Sequence, residues 1–359
     1  MINHHLDIHL IDPILKDEVE PFIGKIDQML YYPGQFLKSV GRSGLLLSAK
    51  LPIKEVRQRE VQLIEKTATY CMTSAFLLWC HLAALTAVRM STNPYIKEEL
   101  LPLLESGKVL GGTGLSNALK YYAGIGTIQL KAERTKGGYF ITGSLPSVSN
   151  LGDGHWFTIL ASLDDQHRLL GILPAEAEGL RLEEKNGFVG MNGTRTFSCS
   201  FNNVFLPDKW ILTEDPDDFI QQIRPSLVLY QIPLGLGVAS ASIDHLSEVR
   251  RENADYFEGL NVQPEDLGRM LQEIQRTTYD YSKLADLVAF NQKILLTRLE
   301  IIHLTSQAVH NDMLYSGGRA YLKDSDPFRR LRESYFLFNL TPTVKQLENL
   351  RQSMRLEKN

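Results

Sequence analysis

The chain has 359 residues, with 42 acidic and 38 basic side chains and a net charge of −4. That length supports two or three domains and a large core. The near balance of charge leaves no basic footprint for nucleic acid, which excludes that class of partner from the expectation.

The start, Met1-Ile2-Asn3-His4-His5, lacks the basic and apolar regions of a signal peptide. Residues 14–110 read as helices. Across 53–86, Val56, Val61, Ile64 and Ala68 recur at helical spacing before the pattern turns almost wholly apolar. The apolar run 74–88, broken by His81, falls short of the roughly 20 residues a bilayer span needs. It is read as a buried helix, and no membrane is expected as a partner. Asn93-Pro94 interrupts the helical pattern, which resumes over 95–104. Cys71, Cys80 and Cys199 show no C-x-x-C spacing and sit in apolar patterns. Structural roles in a reducing cytoplasm are the expectation for all three.

The period changes near Gly111. Ile128, Leu130 and Ala132 alternate with polar residues, Lys136-Gly137-Gly138 turns, and Tyr139-Phe140-Ile141 returns as a partner strand. A second hairpin runs over 155–162 and 169–173. Later, Phe197, Cys199 and Phe201 alternate against Thr196, Ser198 and Ser200. Closely spaced strands of this kind favour a small antiparallel barrel or sandwich. Helical periodicity returns after Pro207, with an acidic run at 215–218 suited to a helix N-terminus. Long helical patterns then cover 223–256, 264–316 and 326–356. The expected fold is α+β and multidomain: an N-terminal helical domain (1–110), a central small antiparallel β-barrel (111–212) and a C-terminal four-helix bundle (213–359).

Several segments, taken in order, carry a family likeness. They are Tyr95-Ile96-Lys97 through Lys108, Gly114-Leu115-Ser116-Asn117-Ala118 followed by Ala123-Gly124, Gly138 to Gly143 followed by Val148-Ser149-Asn150, and Thr196 through Pro207. Together the chain resembles the acyl-CoA dehydrogenase superfamily of flavoproteins, which includes flavin-dependent monooxygenases. The resemblance implies a flavin cofactor, FAD or FMN, and assembly as a homodimer or homotetramer. It implies a small-molecule substrate, with an acyl thioester as one candidate. It places Leu115, Ser116, Asn117, Ser149, Asn150 and Thr343 at the flavin. Ser116 and Ser149 keep the hydroxyl of flavin-contacting threonines, as needed along the polar edge of the ring. Ser147 replaces a tryptophan.

The departures bear on the chemistry. The usual glutamate base is replaced by Thr341, after Arg329-Arg330-Leu331-Arg332-Glu333, and an alternative base position is Leu227. Neither residue can take a carbon-bound proton, so desaturation of an acyl-CoA is not the expected reaction. The pyrophosphate arginine of the family becomes Asn253, with Tyr256-Phe257 for Phe-Gly, and Arg250 and Arg251 lie one turn away. Three functions stay open on this basis: a dehydrogenase-like flavin oxidoreductase, a two-component-type monooxygenase using reduced FMN and oxygen, and a non-catalytic flavin- or acyl-binding relative.

Other motifs read as structural. Gly235-Leu236-Gly237-Val238-Ala239-Ser240 imitates a dinucleotide fingerprint, with Asp255 following, but lacks βαβ alternation and suits close helix packing. His303 and His310, seven apart, suit hydrogen-bonded core positions better than a metal pair. Local acids Asp324, Asp326 and Glu333 account for the basic run Arg329-Arg330 with Arg332.

Overall fold

The computed structural model describes residues 8–49, 51–252 and 262–356. Six helices open the chain: α1 (Ile11–Glu18), α2 (Ile23–Gln28), α3 (Gly34–Arg42), α4 (Ile53–Tyr70), α5 (Met72–Met90) and α6 (Leu101–Glu105). The pattern that reads as one apolar helix is two. It breaks at Cys71, whose backbone is extended (φ −156°, ψ 114°) and whose sulfur accepts the Ser74 amide. The break is held from a distance. The buried Glu333 carboxylate accepts the Thr73 amide at 3.1 Å and the Thr73 hydroxyl at 2.7 Å.

Strands follow: β1 (Leu110–Thr113), then after a short helix α7 (Ser116–Tyr122), β2 (Leu130–Thr135), β3 (Gly138–Val148), β4 (His155–Ser162), β5 (Arg168–Pro174), β6 (Leu180–Lys185), β7 (Thr196–Pro207) and β8 (Ile211–Thr213). Their order is β6-β7-β3-β2-β4-β5-β8, with β1 added against β4. The sheet is antiparallel-rich rather than wholly antiparallel. β1 runs parallel to β4, and β2 meets β4 in parallel at Lys131 and Ser162. Both parallel partners reach β4 through long connections, as a parallel pairing requires. The alternation seen in sequence is the observed one: Leu130 and Ala132 are buried while Lys131 and Glu133 are exposed.

Helices α8 (Pro216–Leu229), α9 (Ile232–Glu252), α10 (Pro264–Ser282), α11 (Asn291–Ser316), α12 (Asp326–Asn339) and α13 (Val344–Leu356) complete the chain. Asp217 and Asp218 occupy the first turn of α8, where negative charge meets the helix dipole favourably. Gly237 permits a close crossing of α9 and α4, since a Cβ there would lie 2.5 Å from Ala68 Cβ. The fingerprint-like glycines are therefore contact points between helices.

Two hydrophobic cores result. One belongs to the sheet, with Leu130, Ile141, Phe157 and Val204 at its centre. The other is shared by helices from both ends of the chain, from Ile11 and Val61 through Leu236 to Leu347. The spans Met72–Met90 and Pro216–Arg251 are apolar and long enough to cross a membrane by composition, but 89% and 83% of the 18-residue apolar window in each is buried inside the fold. All three cysteines are free and buried, and burial pushes the Cys71 and Cys199 thiols up to about 12.

Candidate functional site

Where the sheet meets the helices a cavity of about 400 Å³ opens, within the range of small-molecule and cofactor sites. One wall is the end of β1 and the start of α7, presenting Thr113, Leu115 and Ser116. Thr113 Oγ1 accepts the Leu115 amide at 3.3 Å and the Thr158 hydroxyl at 3.3 Å, which fixes the turn into α7. The facing wall is the end of β3. The β3–β7 register slips between Leu145 and Val148, and this bulge turns the chain so that Ser147 and Ser149 border the cavity. Gly112 lets the two walls approach, because a Cβ there would sit 2.8 Å from the Ser149 carbonyl oxygen.

Hydroxyls on these walls are linked. Ser149 Oγ lies 2.7 Å from Thr196 Oγ1, which lies 2.9 Å from Thr194 Oγ1. Ser116 Oγ lies 3.2 Å from Thr341 Oγ1. The inner surface is apolar and aromatic. Phe76 and Trp79 of α5 stack at 5.5 Å, Phe336 of α12 meets Phe76 edge-on at 4.6 Å, and Leu227 of α8 lies beside them. Trp79 Nε1 donates to the Leu227 carbonyl at 3.1 Å, so this buried indole is satisfied. Phe188, Val189 and Tyr335 border the opening and are exposed.

Thr341 hangs from a turn after α12 that buried polar groups hold. Gln231 Nε2 donates to the Thr341 carbonyl at 3.0 Å. The Arg298 guanidinium donates to the carbonyls of Leu340 at 2.8 Å and of Pro342. Arg298 is 1% exposed, and burial lowers its pKa to about 9, so it stays charged at neutral pH. Carbonyl dipoles at the end of α12 serve it in place of a carboxylate.

The sequence-derived positions separate into two groups. Leu115, Ser116, Ser149, Thr341 and Leu227 border the cavity. Asn117, Asn150 and Thr343 lie outside its lining. Asn117 closes the following loop, accepting the Gln129 amide and donating to the Thr127 carbonyl. Asn150, fully buried with φ 61°, accepts the Tyr32 hydroxyl at 2.6 Å and donates to the Gly111 carbonyl at 2.7 Å. Its side chain thus joins β1, the end of β3 and the N-terminal helices. The Thr343 amide donates to Gln346 Oε1 at the start of α13. Thr113, Thr194 and Thr196 border the cavity without having been singled out. Thr196 carried a signal, since it lies on the polar side of its alternating strand, whereas Thr194 sits in a loop with no pattern.

Some other expectations change. His303 and His310 are exposed rather than core residues, and His303 pairs with Glu348 of α13 at 3.2 Å. Seven-residue spacing gave them a common face, but that face points outward. The basic run of α12 is only partly local. Arg329 meets Asp326 and Glu333, but Arg330 reaches Asp312 on α11 at 2.7 Å and Arg332 forks onto Asp27 on α2. Asn253, Asp255, Tyr256 and Phe257 lie outside the described residues, as do His4 and His5. Arg250 pairs with Glu265 at 2.7 Å.

No family model matches the chain. Among curated proteins it is 24% identical over 258 residues to the mitochondrial isovaleryl-CoA dehydrogenase of Arabidopsis thaliana, covering 66% of this chain and 61% of that protein. It is 20% identical over 359 residues to an acyl-CoA dehydrogenase of Bacillus subtilis, covering 90% of each. The solved glutaryl-coenzyme A dehydrogenase in complex with glutaryl-CoA superposes with a TM-score of 0.86 at 14% identity, over 98% of this chain and 94% of that one. The chain has the fold of the solved acyl-CoA dehydrogenases and is similar in sequence to curated members of that superfamily. Within that superfamily's fold, dibenzothiophene monooxygenase from Paenibacillus sp. A11-2 also superposes, with a TM-score of 0.78 at 14% identity over 96% and 95% of the two chains. Matches to the Arabidopsis protein and to a potato 2-methylacyl-CoA dehydrogenase span about three fifths of those proteins' length (61% and 62%).

Proposed function

We propose that this chain is a flavin-dependent oxidoreductase whose flavin ring occupies the cavity between sheet and bundle. The residues present fit such a group. The cavity has hydroxyls on facing walls at Ser116 and Ser149, and a dry aromatic surface at Phe76, Trp79 and Phe336. Ser116 and Ser149 would hold the polar edge of the ring, offering donors and acceptors that switch with its redox state. Phe76, Trp79 and Phe336 would exclude water from it. A bound flavin supplies the electron- and hydride-transfer chemistry that no side chain offers. FAD and FMN are both compatible with this reading, and a homodimer or homotetramer is the assembly we expect.

One observation supports a preference between the reactions within this reading: among the described residues that line the cavity, none is Asp or Glu. Removal of an α-proton from a thioester needs a carboxylate within hydrogen-bond reach. The Thr341 hydroxyl is too weak a base, and Leu227 has none to offer. Glu333 is not among the lining residues; its carboxylate is bound to Thr73 and paired with Arg329. We therefore favour oxidation by reduced flavin and oxygen, the two-component monooxygenase type, over desaturation.

The purified protein should be yellow, or become so with added FAD or FMN. Anaerobic acyl-CoA should leave that colour unbleached, while reduced FMN supplied in air should drive oxygen uptake above the free-flavin rate. Bleaching by acyl-CoA would restore the dehydrogenase reading. A protein that takes up neither flavin would point to a non-catalytic relative.

A further inference from the structure

The charges around the cavity are not balanced. Two cations line it, Lys120 and Arg332. Arg332 is already satisfied: its guanidinium forks onto Asp27, with one arm at 2.7 Å, and also donates to the Val189 carbonyl at 3.2 Å. Lys120 is different. It sits on α7 four residues after Ser116, so the two side chains share a helix face. Lys120 is exposed, and among the described residues its ammonium makes no hydrogen bond or ion pair. It is the only charged residue of α7. A second lysine approaches from the other wall: Lys185 at the end of β6 reaches Ser147 Oγ at 3.5 Å, and Ser147 lines the cavity. Among the described residues no lining carboxylate opposes either one.

An unpaired ammonium beside a partly dry cavity is a receptor for an anionic oxygen group. We propose that Lys120 forms an anion subsite at the rim of this cavity, which binds the phosphate of a ligand whose uncharged part lies inside. Resting on the flavin reading for the cavity's contents, this assigns the charged end of the ligand to α7. Lys185, which contacts the lining residue Ser147, assists from the opposite wall. The phosphate has two possible sources, the flavin's own and that of a nucleotide-bearing thioester substrate. The chemistry of recognition is the same for both.

The test compares wild type, Lys120→Ala and Lys120→Arg, with Lys185→Ala alongside. Inorganic pyrophosphate is titrated into flavin-free protein by calorimetry. FMN is then compared with riboflavin, and hexanoyl-CoA with hexanoyl-pantetheine, by the change in visible absorption of the flavin or by calorimetry. A charge-assisted hydrogen bond is worth about tenfold or more in affinity. Lys120→Ala should weaken pyrophosphate by about that factor, and Lys120→Arg should restore it. A loss for FMN but not riboflavin assigns the flavin phosphate. A loss for hexanoyl-CoA but not hexanoyl-pantetheine assigns the substrate. Either supports the subsite. Equal losses for charged and uncharged ligands, or no loss for any, overturn it. If wild type takes up no flavin yet binds pyrophosphate in a Lys120-dependent way, the flavin reading fails and the subsite stands. A yellow protein indifferent to Lys120 has the opposite meaning.

Discussion

His81 offers a quantitative test of how the cavity's β1 wall is anchored. The residue is fully buried in α5. Its Nδ1 accepts the Gly111 amide at 2.8 Å, and its Nε2 donates to the Leu104 carbonyl at 3.1 Å. The ring is therefore neutral, with its proton on Nε2. Burial lowers its pKa to about 3. Because the folded value lies below the unfolded one, this histidine contributes stability above the ordinary histidine pKa of about 6.5 and loses it as pH falls. Integrating that difference from about pH 7.5 to about pH 5 gives a loss of roughly 2 kcal/mol from this one ring. His81→Phe keeps the ring's bulk but orphans the Gly111 N–H and the Leu104 carbonyl, which should cost about 2–4 kcal/mol at neutral pH. At about pH 5 the gap between wild type and variant should shrink by roughly 2 kcal/mol, because phenylalanine has no proton to bind. Urea unfolding of both proteins at the two pH values measures this directly, with all other titrating groups common to both. A gap that stays constant across that range would refute the neutral, buried histidine and with it the reasoning that links α5 to β1.

Other outcomes follow from the same geometry. Ser116→Ala and Ser149→Ala should each weaken flavin binding by roughly fivefold to tenfold, the equivalent of one hydrogen bond of about 1 kcal/mol, read by absorption titration. Glu60→Ala removes the carboxylate that Arg89 meets at 2.6 Å and that accepts the Tyr230 hydroxyl at 2.6 Å. It should destabilise the fold by about 3–5 kcal/mol, because a buried arginine keeps the Leu46 carbonyl at 2.6 Å but is left with the longer Glu105 contact at 3.2 Å for its charge. Thr341→Glu installs a carboxylate where the superfamily resemblance places the base. Anaerobic acyl-CoA should then bleach the flavin on the order of 10²-fold faster than in wild type, with an apparent pKa above the usual 4.3 or so because the position is only 6% exposed. Absence of any gain would show that the cavity does not admit a thioester in that orientation.

Local pattern carried much of this molecule. The alternation of Leu130 and Ala132 with charged neighbours identified β2, and the apolar run around His81 identified α5. The resemblance built on short segments singled out Ser116 and Ser149, 33 residues apart in the chain, and the fold brings both to the border of one cavity. Asn117 and Asn150 lie outside that lining, and their amides are committed to loop and strand contacts. A sequence shows that an asparagine stands at a bend, but not which backbone groups its amide must satisfy. The helix break at Cys71 was equally hidden. No proline or glycine marks it, and the Glu333 carboxylate that holds it lies 260 residues beyond Thr73.

What the sequence determined alone was periodic: which stretches bury one face, and where charge favours a helix start. Those properties depend on neighbours within a turn or a strand. Only the tertiary structure decided that helices from both ends of the chain share one core and that two strands join β4 in parallel. It also decided that Arg298 finds carbonyls instead of a carboxylate, while Lys120 is left, among the described residues, without an ion pair beside a cavity. The reason is physical. Desolvation and pairing are set by whatever fills the space around a group, and in this fold that material comes from segments far away along the chain.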